Sequence, residues 1–307
     1  MSSPRMSSAA QAARGNETRL AWMLVSPALS IVAAIALLPI LWTFWESLHF
    51  HDLRMPWLGR PFVGAANYIE IFQSQRFWSA LAHTGFFLAT TLVLELSAGL
   101  LLALSIDRVT RGRGLVRTAV LLPWAIPTVV VALVWRFMFE SPGGLAPTLF
   151  DRAGLTPITW FADPVAAWAP LILADAWKTT PFVAILLLAG LQNIDSSLYQ
   201  AAEVDGAGPW RQFREITLPL LRPALLVAAL FRSLDAFRVF DLVYVMTGGG
   251  PGTATEPLAL YTFATLLQNL DFGAGSALSI IVFAVAFLVA LLGIRLFGRS
   301  AFLERSP

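Results

Sequence analysis

Residues 20–45 read LAWMLVSPALSIVAAIALLPILWTFW, from Leu20 to Trp45, and carry no charge over about 25 positions. An α-helix needs about 20 predominantly apolar residues to cross the hydrocarbon core of a bilayer. The stretch also exceeds the roughly 7–15-residue apolar core of a cleaved secretory signal, and no A-x-A-type site follows its end. A retained membrane helix is expected here. The preceding segment, residues 1–19, is rich in Ser, Ala and Gly and is expected to be disordered.

Outward from this stretch, five further runs meet or approach spanning length, at about 81–105, 115–139, 166–191, 224–246 and 277–297. The fold class is therefore an all-α membrane protein of about six transmembrane helices, a membrane domain over 20–297, with a short tail at 298–307. Composition agrees: 57% of the 307 residues are hydrophobic and 13% are charged, against roughly 25% charged in an average soluble domain. Arg placement then gives the orientation. Arg5, Arg14 and Arg19 precede the first run; Arg108, Arg111, Arg113 and Arg117 surround the second turn; Arg211, Arg214 and Arg222 lie between the fourth and fifth; Arg295, Arg299 and Arg305 end the chain. With six spans all of these share one side, whereas Arg54, Arg60, Arg76 and Arg152 hold the other, so both termini are expected to be cytoplasmic.

Several chemistries are excluded. With no Cys there is no disulfide, thiolate nucleophile or Cys-ligated zinc. The chain has one Lys, Lys178, preceded by Trp177 rather than Gly, so it holds no phosphate-binding P-loop. His49, His51 and His83 do not fall in an H-E-x-x-H pattern. No continuous basic patch with interleaved aromatics suggests nucleic acid.

Between the fourth and fifth runs, residues 195–221 form a distinctive loop. Tyr199-Gln200-Ala201-Ala202-Glu203-Val204-Asp205-Gly206-Ala207 is followed by Gly208-Pro209-Trp210 and then by Ile216-Thr217-Leu218-Pro219. Ser197 and Gln200 have capping-box spacing for a short helix, Ala201 and Ala202 leave one face flat, Gly206 suits a left-handed stop, and Pro209 suits a second start. A compact helix–turn–helix for docking into a partner's groove is expected.

This stretch resembles the coupling loop of binding-protein-dependent ABC importer permeases, whose pattern is E-A-A, three residues, Gly, nine residues, then I-x-L-P. Ala201-Ala202, Gly206 and Ile216 to Pro219 match; Gln200 stands where the family often has Glu. The run around Asp235-Ala236-Phe237-Arg238 and the turn Met246-Thr247-Gly248-Gly249-Gly250-Pro251 are similar to the carbohydrate-uptake branch. They resemble the maltose-type first permease subunit and the trehalose importer permease of actinobacteria, which share Trp177-Lys178-Thr179-Thr180-Pro181-Phe182. The resemblance implies the type I importer permease fold, and docking of a separate ATPase by Gln200, Ala201, Ala202, Asp205 and Gly206. Glu203, on another face, is a further docking candidate or a solvated charge. It also implies a second permease as heterodimer partner, two copies of a cytoplasmic ABC ATPase, an extracytoplasmic solute-binding protein and a sugar substrate. This chain would hold no cofactor, with ATP and Mg on the ATPase.

The expected fifth helix carries Arg232, Asp235, Arg238 and Asp241 at steps of three. Facing lipid, each costs roughly 2.5–3.5 kcal/mol at the bilayer centre, so they must face protein, water or the membrane surface. Either Asp235, Arg238 or Asp241 lines a solute path, or the pairs Arg232–Asp235 and Arg238–Asp241 form a ladder that fixes the helix. Lys178 lies mid-span with Asp175 as an expected partner, and Trp177 beside it is a path candidate. Trp135 and Trp124 offer planes for a sugar ring, or mark interfaces. Glu95 and Arg136 are expected to be structurally paired. Two other readings remain at this point: an importer of the same build for glycerol phosphate or another anion, and a membrane-embedded transferase for lipid-linked sugars.

Overall fold

The computed structural model describes residues 8–109, 111–156 and 158–303, with side chains described from 20 to 295 within those ranges. Its helices, in chain order, are α1 (Ser8–Ser47), α2 (Ala66–Gln73), α3 (Gln75–Asp107), α4 (Arg113–Ala125), α5 (Thr128–Phe139), α6 (Leu145–Arg152) and α7 (Trp168–Leu191). They continue with α8 (Ser196–Val204), α9 (Pro209–Gln212), α10 (Leu218–Phe237), α11 (Asp241–Met246), α12 (Leu258–Phe263) and α13 (Phe272–Leu303). One-turn π segments run into α10 at Phe213–Thr217 and out of α12 at Ala264–Gln268.

Among the described residues, five helical stretches are long and apolar enough to cross a membrane, and the bent pair α4 and α5 makes six if it counts as one span. The sequence expects one continuous span over 115–139; the structure instead turns by 82° between the two halves. Pro127 has no N–H to continue the ladder, and its ring forces Ile126 out of the helical region, to ψ 134°. The expected fifth span is also corrected. It ends at Phe237 rather than Met246, because Arg238 leaves helical geometry at ψ 16° and Phe240 at φ −137°, before α11 restarts at Asp241. Val239 and Phe240 are β-branched and aromatic, both poor helix formers, and Asp241 suits the positive start of a helix. At the chain ends, α1 begins at Ser8, ahead of the expected start at Leu20, and Ala-rich residues 9–13 have the propensity to extend it. Met1 to Ser7 and Glu304 to Pro307 lie outside the described residues.

α3, α7 and α10 form the centre of the bundle. A β-carbon on Gly99 of α3 would sit 2.6 Å from Val183 Cγ1 of α7, and one on Gly190 of α7 would sit 2.6 Å from Ala224 Cβ of α10. Small residues therefore let these backbones approach, which is how helices pack where lipid removes the hydrophobic drive between them. One apolar cluster, with Ile106, Val183, Leu187, Leu191, Leu221 and Ala228, fills the end nearer α8. Another, with Phe87, Trp168, Leu171, Leu242 and Met246, fills the opposite end. Between these clusters lies the charged group described next.

Candidate translocation site and coupling surface

Arg232, on α10, is 2% exposed, and Glu95, on α3, is 0% exposed. The guanidinium donates through Nε to Glu95 Oε2 and through Nη2 to Glu95 Oε1 at 2.8 Å. Nη2 also reaches Asp175 Oδ2 on α7 at 3.0 Å, and Nη1 reaches Asp235 Oδ2 one turn along α10. Thr179 Oγ1 lies 2.6 Å from Glu95 Oε1. A charge in this setting costs several kcal/mol unless it is paired and hydrogen-bonded. Three helices supply the partners.

The expected Arg232–Asp235 pair is present, and Glu95 is structurally paired as expected. Other sequence-based pairings are corrected. Asp175 serves Arg232 rather than Lys178, which has no carboxylate at ion-pair distance among the described residues. Arg238 Nη2 lies 3.9 Å from Asp235 Oδ1, and no Arg238–Asp241 pair occurs among the described residues, because the helix breaks between them. Arg136, by contrast, is structurally paired as expected: it donates to the Val245 carbonyl at 3.0 Å.

Lys178, Asp235, Arg238 and Asp241 do come together. With Asp175, Thr128 and Thr179 they line a polar cavity of about 120 Å³ at the break between α10 and α11. A larger cavity of about 480 Å³ adjoins it through Thr179, Asp235 and Arg238, and adds Trp124, Phe182 and Phe231. Trp124 stacks on Phe182 there, centroids 5.6 Å apart. Trp135 and Trp177 lie elsewhere: they line an apolar cavity of about 290 Å³ with Val130, Val134 and Met138, their rings 6.2 Å apart. The six path candidates thus fall into two groups rather than one.

At the α8 end, the loop between α7 and α10 folds as a helix, a turn and a second short helix. Asp195, not Ser197, is the N-cap of α8: its carboxylate accepts the Ser197 N–H at 2.9 Å, which holds the Asp195 carboxyl below its usual range. Ser197 therefore sits inside the helix rather than before it. Gly206 takes φ +77°, the left-handed stop its identity suggests. Tyr199 Oη lies 2.9 Å from Thr217 Oγ1, and Gln212 Nε2 donates to the Ala207 carbonyl at 3.1 Å, so the two halves brace each other. Gln200, Ala201, Glu203, Asp205 and Gly206 are exposed, and Ala202 is half-buried. Two apolar residues that motif reading passes over are also strongly exposed: Val204 at 88% and Trp210 at 73%. Their signal was an apolar side chain within a polar helix–turn–helix. A groove of about 450 Å³ runs beneath the loop, between Trp210, Phe213 and Tyr199 on one wall and Leu101, Asp107 and Arg108 on the other.

Residues 95–306 match the family of binding-protein-dependent transport system inner membrane components. The chain belongs to that family. The permease is thus an inner-membrane subunit, not an enzyme in its own right, and it works with a solute-binding protein and an ATPase. It is 41% identical to the trehalose/maltose transport system permease protein of Thermococcus litoralis over 92% of its own length and 96% of that protein's. It is 39% identical to the trehalose transport system permease protein of Mycobacterium tuberculosis, covering 93% and 91% of the two chains. Among solved structures, a bacterial ABC transporter involved in import of the acidic polysaccharide alginate contains a chain that superposes with a TM-score of 0.78. That chain is 25% identical, and the match covers 92% of the permease and 96% of that chain. The fold is that of ABC importer permeases.

Proposed function

We propose that this permease passes an uncharged di- or oligosaccharide, of the trehalose or maltose kind, through the cavity between α7 and the α10–α11 break. The observation that carries this is a polar cavity lined by Asp175, Lys178, Asp235, Arg238 and Asp241 inside an otherwise apolar bundle. Hydroxyl-rich solutes need such paired donors and acceptors, and an aromatic plane such as Trp124 suits the C–H face of a sugar ring. The trehalose and maltose systems named for its relatives support the same class.

The assembly we infer is a heterodimer with a second permease, two copies of a cytoplasmic ABC ATPase and an extracytoplasmic binding protein. ATP and Mg belong to the ATPase. Both chain termini are cytoplasmic in this reading, and the groove lining supports it by placing Arg108 beside the α8–α9 loop. Gln200, Ala201, Ala202, Glu203, Asp205 and Gly206 form the ATPase-facing surface, with Val204 and Trp210 adding apolar contact.

An anionic solute is the second reading, favoured by the alginate transporter's likeness. The charges weigh against it: Glu95, Asp175, Asp235 and Asp241 outnumber Lys178, Arg232 and Arg238 in and behind the cavity. Uptake of labelled trehalose, maltose and an anionic sugar such as a hexuronate, by cells with and without this chain, separates the two. Loss of neutral-sugar uptake on deletion supports the proposal; loss of uronate uptake alone overturns it.

A further inference from the structure

Arg232 spends four of its five N–H groups on carboxylates, two on Glu95 and one each on Asp175 and Asp235. Well-packed apolar side chains often hold helices together as well as a buried ion group does. Packing alone therefore does not call for an arginine here. The three carboxylates differ in a way that suggests one role. Glu95 is enclosed and Asp175 shows 14% of its side chain at the wall of the smaller cavity, whereas the Asp235 side chain is 60% exposed and borders both cavities. Arg232 takes Asp235 Oδ2, and among the described residues the cation within ion-pair distance of Oδ1 is Arg238, at 3.9 Å.

We propose that Arg232 is a positioning residue for solute recognition: anchored by Glu95 and Asp175, it turns Asp235 so that Oδ1 faces the path as a fixed acceptor for one solute hydroxyl. The proposal rests on the sugar reading above. A carboxylate free to rotate would pay ordering entropy at each binding event, whereas one held by a buried guanidinium has lost that freedom in advance. Arg232 borders the larger cavity, but with 2% of its side chain exposed and four N–H groups already engaged it acts on the solute through Asp235. Lysine at this position keeps the charge but lacks the fork that spans three carboxylates.

The complete importer in proteoliposomes, with this chain, its second permease, the ATPase and the binding protein, tests this with trehalose and its monodeoxy derivatives. Each derivative's kcat/KM relative to trehalose is compared between wild type and variant, so that the binding protein's own preference cancels. For wild type, one derivative is expected to lose roughly tenfold or more, as a hydrogen bond to a charged acceptor implies. Asp235→Asn and Arg232→Lys should each flatten that same loss, and the double variant should flatten it no further. If Arg232→Lys fails to assemble, Glu95→Gln, which loosens the anchor alone, should flatten it in part. The proposal is overturned if wild type shows no such derivative, or if the assembled Arg232→Lys or Glu95→Gln importer keeps the wild-type pattern while only its rate falls. If wild type moves neither trehalose nor maltose, the sugar reading itself fails, and this proposal with it.

Discussion

Arg232 on α10 holds both carboxylate oxygens of Glu95 on α3, a residue 137 positions earlier in the chain. Removing one partner of such a buried pair leaves an uncompensated charge, at a cost of roughly 3–5 kcal/mol. Arg232→Met should therefore lower the unfolding temperature of the detergent-solubilised permease markedly. Glu95→Leu combined with Arg232→Met should recover part of that loss, since one orphaned carboxylate is gone. A double variant whose loss equals the sum of the single losses would contradict a direct pair.

Close approach of α3 and α7 depends on Gly99, whose added β-carbon would stand 2.6 Å from Val183 Cγ1. Gly99→Ala should cost about 1–3 kcal/mol by overpacking. Val183→Ala in the same chain should restore much of it by removing the clashing methyls. Thermal unfolding of the two variants checks this, and an unchanged Gly99→Ala protein would deny the contact.

Gly206 stands at φ +77° with open space around it, so a substitution there meets backbone strain and no clash. Gly206→Pro cannot adopt that angle, because proline fixes φ near −65°. Uptake should fall to background while the membrane subunits still purify together. Normal uptake by this variant would remove the loop's docking role.

Asp271, just before α13, is pushed above its ordinary carboxyl range by burial, and its Oδ1 accepts the Ala274 N–H. A raised folded value means that the group favours the folded state at low pH. That contribution fades as pH rises from the unfolded value through the folded one. Asp271→Asn keeps the amide acceptor without the charge. It should unfold at a higher temperature than wild type at neutral pH, with the gap closing toward pH of about 4, near the ordinary aspartate value.

Much of this architecture is legible in the sequence because hydropathy acts locally. Leu20 to Trp45 declares a helix by itself, and Gly206 declares its turn. The failures have physical causes. Hydropathy averages over Pro127 and so cannot see an 82° bend. It also counts Leu242 to Met246 as a continuation of α10, although two poor helix formers interrupt the chain at Val239 and Phe240. Pairings read along one helix, such as Lys178 with Asp175, lose to a stronger donor arriving from another helix. Glu95 and Asp175 gather around Arg232 only once α3, α7 and α10 are packed. Trp135 and Trp177 meet in an apolar pocket that no local pattern separates from the polar one.

The central claim is that this chain conveys a sugar by taking force from a separate ATPase through the loop around Gly206. The most direct measurement is the ATPase rate of the reconstituted complex as the binding protein is loaded with different solutes. Binding protein carrying trehalose or maltose should stimulate hydrolysis and drive uptake in parallel, and Gly206→Pro should abolish both. Failure of every sugar-loaded binding protein to stimulate the wild-type complex would contradict the account.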